Sequence, residues 1–102
     1  MRLNQKTAIV TGAGSGMGQA EAIGFAKEGA KVVVADVNLA TAEATRDAIV
    51  AAGGEAIAVA VDVTYLADLQ NLVDTTLATY GRIDVLVNNA GIFDYYTNSL
   101  DT

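Results

Sequence analysis

The sequence predicts an α/β fold in which a doubly wound parallel sheet of four strands is covered by three helices. Three observations support this fold class. Four short apolar runs alternate with three helical patterns, the runs are apolar on both faces, and glycines cluster where the first run gives way to the first helix. The runs are Ala8 to Val10, Val32 to Ala35, Ile57 to Val61 and Val85 to Val87.

The elements alternate as βαβαβαβ with short connections. Right-handed crossovers then predict the strand order 3-2-1-4, which is the first half of a Rossmann-type sheet. The order reverses between the first and fourth strands, and ligands bind at the carboxyl ends of the strands beside such a reversal. We therefore expect the loop after Val10 and the residues after Val87 to share one crevice.

The helices are predicted from their apolar spacing and their end signals. The first should run from about Gly16 to Glu28, and the second from about Leu39 to Ala52 with Asn38 as its cap. The third should begin after a cap at Thr64 and stop at Gly81. Its predicted core-facing stripe consists of Leu66, Leu69, Val73, Leu77 and Tyr80.

Length and composition indicate one domain, residues 1–102. The chain is 52% hydrophobic and 18% charged, which is typical of a globular protein. The net charge of −6 argues against nucleic acid or an anionic membrane as a partner. The chain has no cysteine and no histidine, which excludes disulfides, thiolate or imidazole metal sites, and cysteine or histidine catalysis. No metal is expected, and the lack of cysteine fits a cytoplasmic location.

The first candidate site lies where the first strand meets the first helix. Glycines recur there at Gly12, Gly14, Gly16 and Gly18, and Asp36 closes the second apolar run. Glycine lets bare backbone approach a diphosphate, a helix N-terminus favours an anion, and the acidic residue can accept from ribose hydroxyls. The alternative is a glycine turn beside a solvated aspartate. A P-loop is excluded because no lysine follows the glycines.

Two further motifs follow strands whose carboxyl ends meet the same crevice. Asp62 and Val63 follow the third run, where the carboxylate either accepts from an adenine amino group or favours the next helix N-terminus. The fourth run ends in Asn88-Asn89-Ala90-Gly91, which is either a small polar wall of the crevice or an ordinary turn.

In this combination and order, the motifs resemble those of the classical short-chain dehydrogenases/reductases. Thr11 to Gly18 is similar to that family's Thr-Gly-x-x-x-Gly-x-Gly loop, and Asn88 to Gly91 is similar to its Asn-Asn-Ala-Gly motif. The resemblance implies an NAD-binding site in which each motif has one role. Ser15, Gly16 and Met17 would line the diphosphate, Asp36 would bind the adenosine ribose, Asp62 and Val63 would hold the adenine, Asn89, Ala90 and Gly91 would line the cofactor cleft, and Asn88 would stabilise the sheet.

The chain departs from that family in its catalytic residues. The family's chemistry belongs to a serine and a Tyr-x-x-x-Lys pair, and no tyrosine here is followed four residues later by lysine. We therefore predict no catalytic residue and no dehydrogenase activity in this chain alone. The chain is interpreted as the NAD-binding half of an oxidoreductase that transfers hydride between nicotinamide and an alcohol or ketone. The alternative is a stand-alone dinucleotide-binding module without catalysis.

The resemblance and the edge position of the fourth strand give two more expectations. NAD should be preferred to NADP, because the Asp36 carboxylate would repel a 2′-phosphate. The apolar fourth strand should also expose an unpaired edge, which predicts self-association of the isolated chain through that strand.

Overall fold

The computed structural model describes residues 3–89 and contains the seven predicted elements in the predicted order. The elements are β1 (Thr7–Thr11), α1 (Gly16–Lys27), β2 (Lys31–Asp36), α2 (Leu39–Ala51), β3 (Glu55–Ala60), α3 (Leu66–Tyr80) and β4 (Val85–Asn88). The sheet is parallel throughout, and its strand order is β3-β2-β1-β4. The predicted fold class and strand order are therefore confirmed.

The register aligns the strand ends that carry the candidate motifs. Thr11 at the end of β1 pairs with Ala35 of β2 on one side and with Asn88 of β4 on the other. Asp36 at the end of β2 pairs with Ala60 of β3. The residues that follow all four strands consequently lie along one edge of the sheet.

The core has two apolar layers, one on each face of the sheet. Alternate residues of β1 and β2 point to opposite faces, so Ile9 and Val33 pack with α3 while Val10 and Val34 pack with α1 and α2. Both strands are almost fully buried, whereas β3 at the sheet edge is more exposed. Continuous apolar runs are what strands covered on both faces require.

The cap of α2 is confirmed and the cap of α3 is wrong. Asn38 Oδ1 accepts from the Thr41 N–H at 3.2 Å. The N-cap of α3 is Tyr65 rather than Thr64, and it makes no side-chain cap bond. The Thr64 hydroxyl donates instead to Asp62 Oδ1 at 2.6 Å, since the backbone turns tightly after β3 and brings these two residues together.

The buried face of α3 is rotated from the predicted stripe. Leu69 is buried as expected, but its buried companions are Leu72 and Thr76, while Leu66 and Leu77 are 67% and 45% exposed. Spacings of three and four residues describe two adjacent stripes equally well, so they do not fix the rotation of the helix. Thr76 tolerates burial because its hydroxyl donates to Leu72 O at 2.8 Å.

Gln5 occupies a backbone conformation that favours glycine, and this gives a stability prediction. Its φ is +71°, in a turn that the Lys6 N–H closes on Leu3 O at 2.9 Å. The left-handed conformation costs a non-glycine residue about 1–2 kcal/mol, and the greater chain entropy of glycine offsets about 0.5–1 kcal/mol of any gain. We expect Gln5→Gly to raise the free energy of unfolding by about 0.5–1 kcal/mol in urea denaturation. Gln5→Ala retains the strain and should give no such gain.

Candidate cofactor-binding site

The loop between β1 and α1 uses its glycines for two different reasons. Gly12 and Gly16 have φ values of +63° and +60°, a region that disfavours any side chain. Gly18 is needed for close approach, because a Cβ there would overlap Gly12 O and lie 2.7 Å from Gly12 C. The loop thus folds back on the first turn of α1. Ser15, Gly16 and Met17 stand at the N-terminus of that helix, where backbone N–H groups favour an anion.

Asp36 connects this loop to the start of α2. Its Oδ2 accepts from the Gly14 N–H at 2.9 Å, and its Oδ1 accepts from the Asn38 N–H at 3.0 Å. The side chain is half-buried at the carboxyl end of β2. The carboxylate is therefore held between two backbone donors at the edge of the sheet where the glycine loop lies.

Asp62 and Val63 lie on the same cleft as Asp36. Asp62 Oδ1 accepts from both the N–H and the hydroxyl of Thr64, and these hydrogen bonds lower the pKa of the Asp62 carboxyl from its ordinary value. Asp68, in the first turn of α3, accepts from the Asp62 N–H at 2.9 Å. The cleft has a volume of about 240 Å³ and is lined by Thr11, Gly12, Ala35, Asp36, Val37, Val61, Asp62 and Val63.

The end of β4 is fastened to the start of the glycine loop. The buried Thr11 hydroxyl lies 3.2 Å from Asn88 Oδ1 and 3.3 Å from Val87 O, and it can donate to either. Asn89 Nδ2 donates to Thr11 O at 3.1 Å. Asn88 therefore contacts β1 within the sheet, and Asn89 lies beside the loop. Ala90 and Gly91, the other residues predicted for this wall, lie outside the described residues.

A larger hollow of about 460 Å³ lies at the opposite edge of the sheet, where Lys27, Lys31 and Glu55 are among its lining residues. The helices α1 and α2 end at that edge, so the negative ends of their dipoles point towards it. Helix α1 begins at the glycine loop, so the positive end of its dipole points towards that loop. The helix dipole therefore favours an anionic group at the start of α1, on the edge where the glycine loop lies.

The sequence patterns predict most residues of this candidate site, but they do not predict two contacts within it. The sequence predicts Asn38 only as a helix cap, but its N–H also donates to the Asp36 carboxylate. Thr41, on the first turn of α2, lies against Gly14, and no local pattern signals that contact. Within residues 3–89, no group of three or more acidic residues could hold a metal ion. No helix in the same range is long and apolar enough to span a bilayer.

The family model described as short chain dehydrogenase matches residues 6–101. The chain belongs to the short-chain dehydrogenase family. This confirms the resemblance that the glycine loop and the Asn-Asn-Ala-Gly motif predict. Members of this oxidoreductase family typically bind a nicotinamide dinucleotide.

Among curated relatives, the chain is 47% identical over 94 residues to a sorbitol dehydrogenase from Cereibacter sphaeroides and 49% identical over 94 residues to a galactitol 2-dehydrogenase from Agrobacterium fabrum. Each alignment covers 92% of this chain and 36% of the relative. A crystal structure of hydroxysteroid dehydrogenase from Escherichia coli superposes with a TM-score of 0.84 at 45% identity, covering 85% of this chain and 37% of that one. This short-chain dehydrogenase sequence thus spans about a third of the length of the relatives that it matches.

Proposed function

We propose that this chain is the NAD(H)-binding part of a short-chain dehydrogenase/reductase that transfers hydride between the nicotinamide and an alcohol or ketone. Adenine would occupy the cleft beside Asp62 and Val63, with its ribose at Asp36. The diphosphate would lie at the start of α1, on Ser15, Gly16 and Met17. Asn89 would form the next wall of the cofactor site, continued by Ala90 and Gly91. The observation that carries the proposal is the half-buried Asp36 carboxylate, held at the edge where the glycine loop opens α1.

The charge at this position favours NAD over NADP. A carboxylate accepts hydrogen bonds from a ribose diol, whereas it repels a 2′-phosphate in the same place. Two unit charges about 4 Å apart in water repel by about 1 kcal/mol, and by more in a partly desolvated cleft. The residues that line the described cleft include no lysine or arginine to offset this repulsion.

The chain is therefore expected to bind NAD at least tenfold more tightly than NADP, which isothermal titration of the 102-residue chain would measure. Asp36→Ala should reduce that ratio severalfold, because the variant removes the repelling charge. The matched control is Asp62→Asn, which alters the proposed adenine end of the cleft. It should weaken the two dinucleotides about equally. Equal or tighter binding of NADP by the unmodified chain would contradict the assignment.

We also propose that the isolated chain self-associates through β4. Within residues 3–89, the strand pairs only with β1. The Lys31 N–H donates to Lys6 O, so the backbone groups of Ala8 face β2. The pairing of Ala8 with Val85 then directs the N–H groups of Val85 and Val87 towards β1 and that of Leu86 away from it. An apolar strand with an open edge is a template for pairing with a second copy.

Light scattering over a wide concentration range is expected to show a dimer or larger species. Amide hydrogen exchange at Leu86 should slow as the concentration rises, while exchange at Val85 and Val87, whose N–H groups face β1, provides the internal reference. A monomer at the highest concentration, with exchange at Leu86 unchanged, would show that the edge does not pair.

A further inference from the structure

Gly14, Asp36 and Thr41 form a closely packed contact between the glycine loop and α2. An ideal Cβ built on Gly14 would overlap Thr41 Oγ1, lie 2.8 Å from Thr41 Cβ and lie 2.9 Å from Asp36 Oδ2. Real Cβ atoms essentially never approach a neighbour this closely. The site therefore has no room for one methyl group at position 14.

Glycine is present at position 14 for a packing reason rather than a backbone one. Within residues 3–89, the glycines with positive φ are Gly12, Gly16, Gly29, Gly53 and Gly81, and Gly14 is not among them. An alanine could adopt its backbone conformation. The obstacle is the pair of side chains that face it.

Thr41 is the more rigid of those two side chains. Its N–H donates to Asn38 Oδ1 at 3.2 Å, and its hydroxyl donates to Asn38 O at 3.0 Å. A β-branched side chain also has few alternative rotamers in a helix. Asp36, in contrast, is not β-branched, and its carboxylate is held by hydrogen bonds from two backbone N–H groups, which it can leave by rotation of the side chain. A group inserted at position 14 would thus displace Asp36 rather than Thr41.

We infer that Gly14 and Thr41 are positioning residues for cofactor selection, which act by confining the Asp36 carboxylate between the Gly14 and Asn38 N–H groups. This inference rests on the proposed function, because it assigns residues that tune the same site. A carboxylate discriminates against a 2′-phosphate only while it stays where that phosphate must lie, since electrostatic repulsion weakens with distance. The Gly14 and Asn38 N–H groups hold the carboxylate at that position. The contact of Thr41 with Gly14 fills the space next to the carboxylate.

The test uses matched adenosine probes that differ only at the 2′ position, 5′-AMP and adenosine 2′,5′-bisphosphate. The dissociation constant of each is measured by calorimetry for the 102-residue chain. Gly14→Ala should reduce the preference for 5′-AMP at least fivefold, because the displaced carboxylate no longer repels the 2′-phosphate. Adding Thr41→Ala to Gly14→Ala should restore part of the preference by removing the nearest obstructing atom. Gly24→Ala, which makes the same chemical change where no atom lies within 4 Å, should leave the preference unchanged.

A purely structural role would lower stability without altering the ratio of the two dissociation constants, so an unchanged ratio in folded Gly14→Ala would overturn the inference. If Gly14→Ala does not fold, the single variant Thr41→Ala tests the inference instead. It frees space beside Asp36 and should reduce the preference at least threefold, and an unchanged preference would overturn the inference. Failure of the unmodified chain to bind either 5′-AMP or NAD would contradict the proposed function instead.

Discussion

Gly18→Ala is expected to destabilise the chain by about 3 kcal/mol, the upper part of the usual range for overpacking a filled site. The added methyl group would overlap Gly12 O and lie 2.7 Å from Gly12 C. Backbone cannot move aside as a flexible side chain can, and Gly12 is itself held at a φ of +63°. The turn must therefore open, which would also weaken NAD binding at the proposed diphosphate site.

The control is Gly24→Ala, the same substitution two turns further along α1. A Cβ at Gly24 meets nothing within 4 Å, and alanine is favoured over glycine in a helix by about 1 kcal/mol. Thermal unfolding should therefore show opposite shifts. The melting temperature should fall by about 10 °C or more for Gly18→Ala and rise by a few degrees for Gly24→Ala. Equal shifts in the two variants would show that helix propensity, and not contact with Gly12, governs both positions.

Asp84→Ala is expected to cost about 2 kcal/mol, because it leaves a buried backbone donor without its acceptor. Asp84 Oδ2 accepts from the N–H of the fully buried Thr7 at 2.8 Å. Oδ1 lies 2.7 Å from Arg82 Nη2, and the Asp84 side chain is only 18% exposed. This carboxylate fastens the start of β4 to the start of β1, so urea denaturation at pH 7 should record the loss directly.

Asp47 offers a matched control for that substitution. It forms an ion pair with Arg46 at 2.9 Å, but its side chain is 68% exposed. Exposed ion pairs contribute about 1 kcal/mol at most, so Asp47→Ala should lower the free energy of unfolding by less than Asp84→Ala does. A cost as large as that of Asp84→Ala would show that charge alone, rather than the bond to Thr7, accounts for the effect.

The stabilisation by Asp84 should also depend on pH. The hydrogen bond from Arg82 lowers the pKa of the Asp84 carboxyl, and this outweighs the opposing effect of burial. A carboxyl with a lowered pKa in the folded state stabilises the fold above its unfolded pKa of about 3.9. That contribution is lost as the pH falls through the lower folded value. The difference in unfolding free energy between the unmodified chain and Asp84→Ala should therefore be full at pH 7 and shrink below about pH 4.

Parts of the candidate site could be predicted because their signals are local. Gly12 and Gly16 mark backbone conformations that favour glycine, and Asp36 is the last residue of a buried strand. Each signal depends on residues close together in the chain, and the parallel order of the strands then brings their carboxyl ends to one edge. NAD as the cofactor, and the roles of Ser15, Met17, Asp62, Val63 and Asn89 in binding it, remain predictions that titration must test.

By itself, the sequence determined the order of the elements, the parallel sheet and the edge at which the candidate motifs meet. Apolar runs and glycines act over a few residues, and crossover handedness leaves few topologies open. The tertiary structure decided how the faces of those elements meet. It selected Leu72 and Thr76 as the buried face of α3, and it brought Asp84 to Thr7 across 77 positions of the chain. It also placed Thr41 against Gly14. These contacts depend on the rotation and separation of packed elements, which no local pattern of residues specifies.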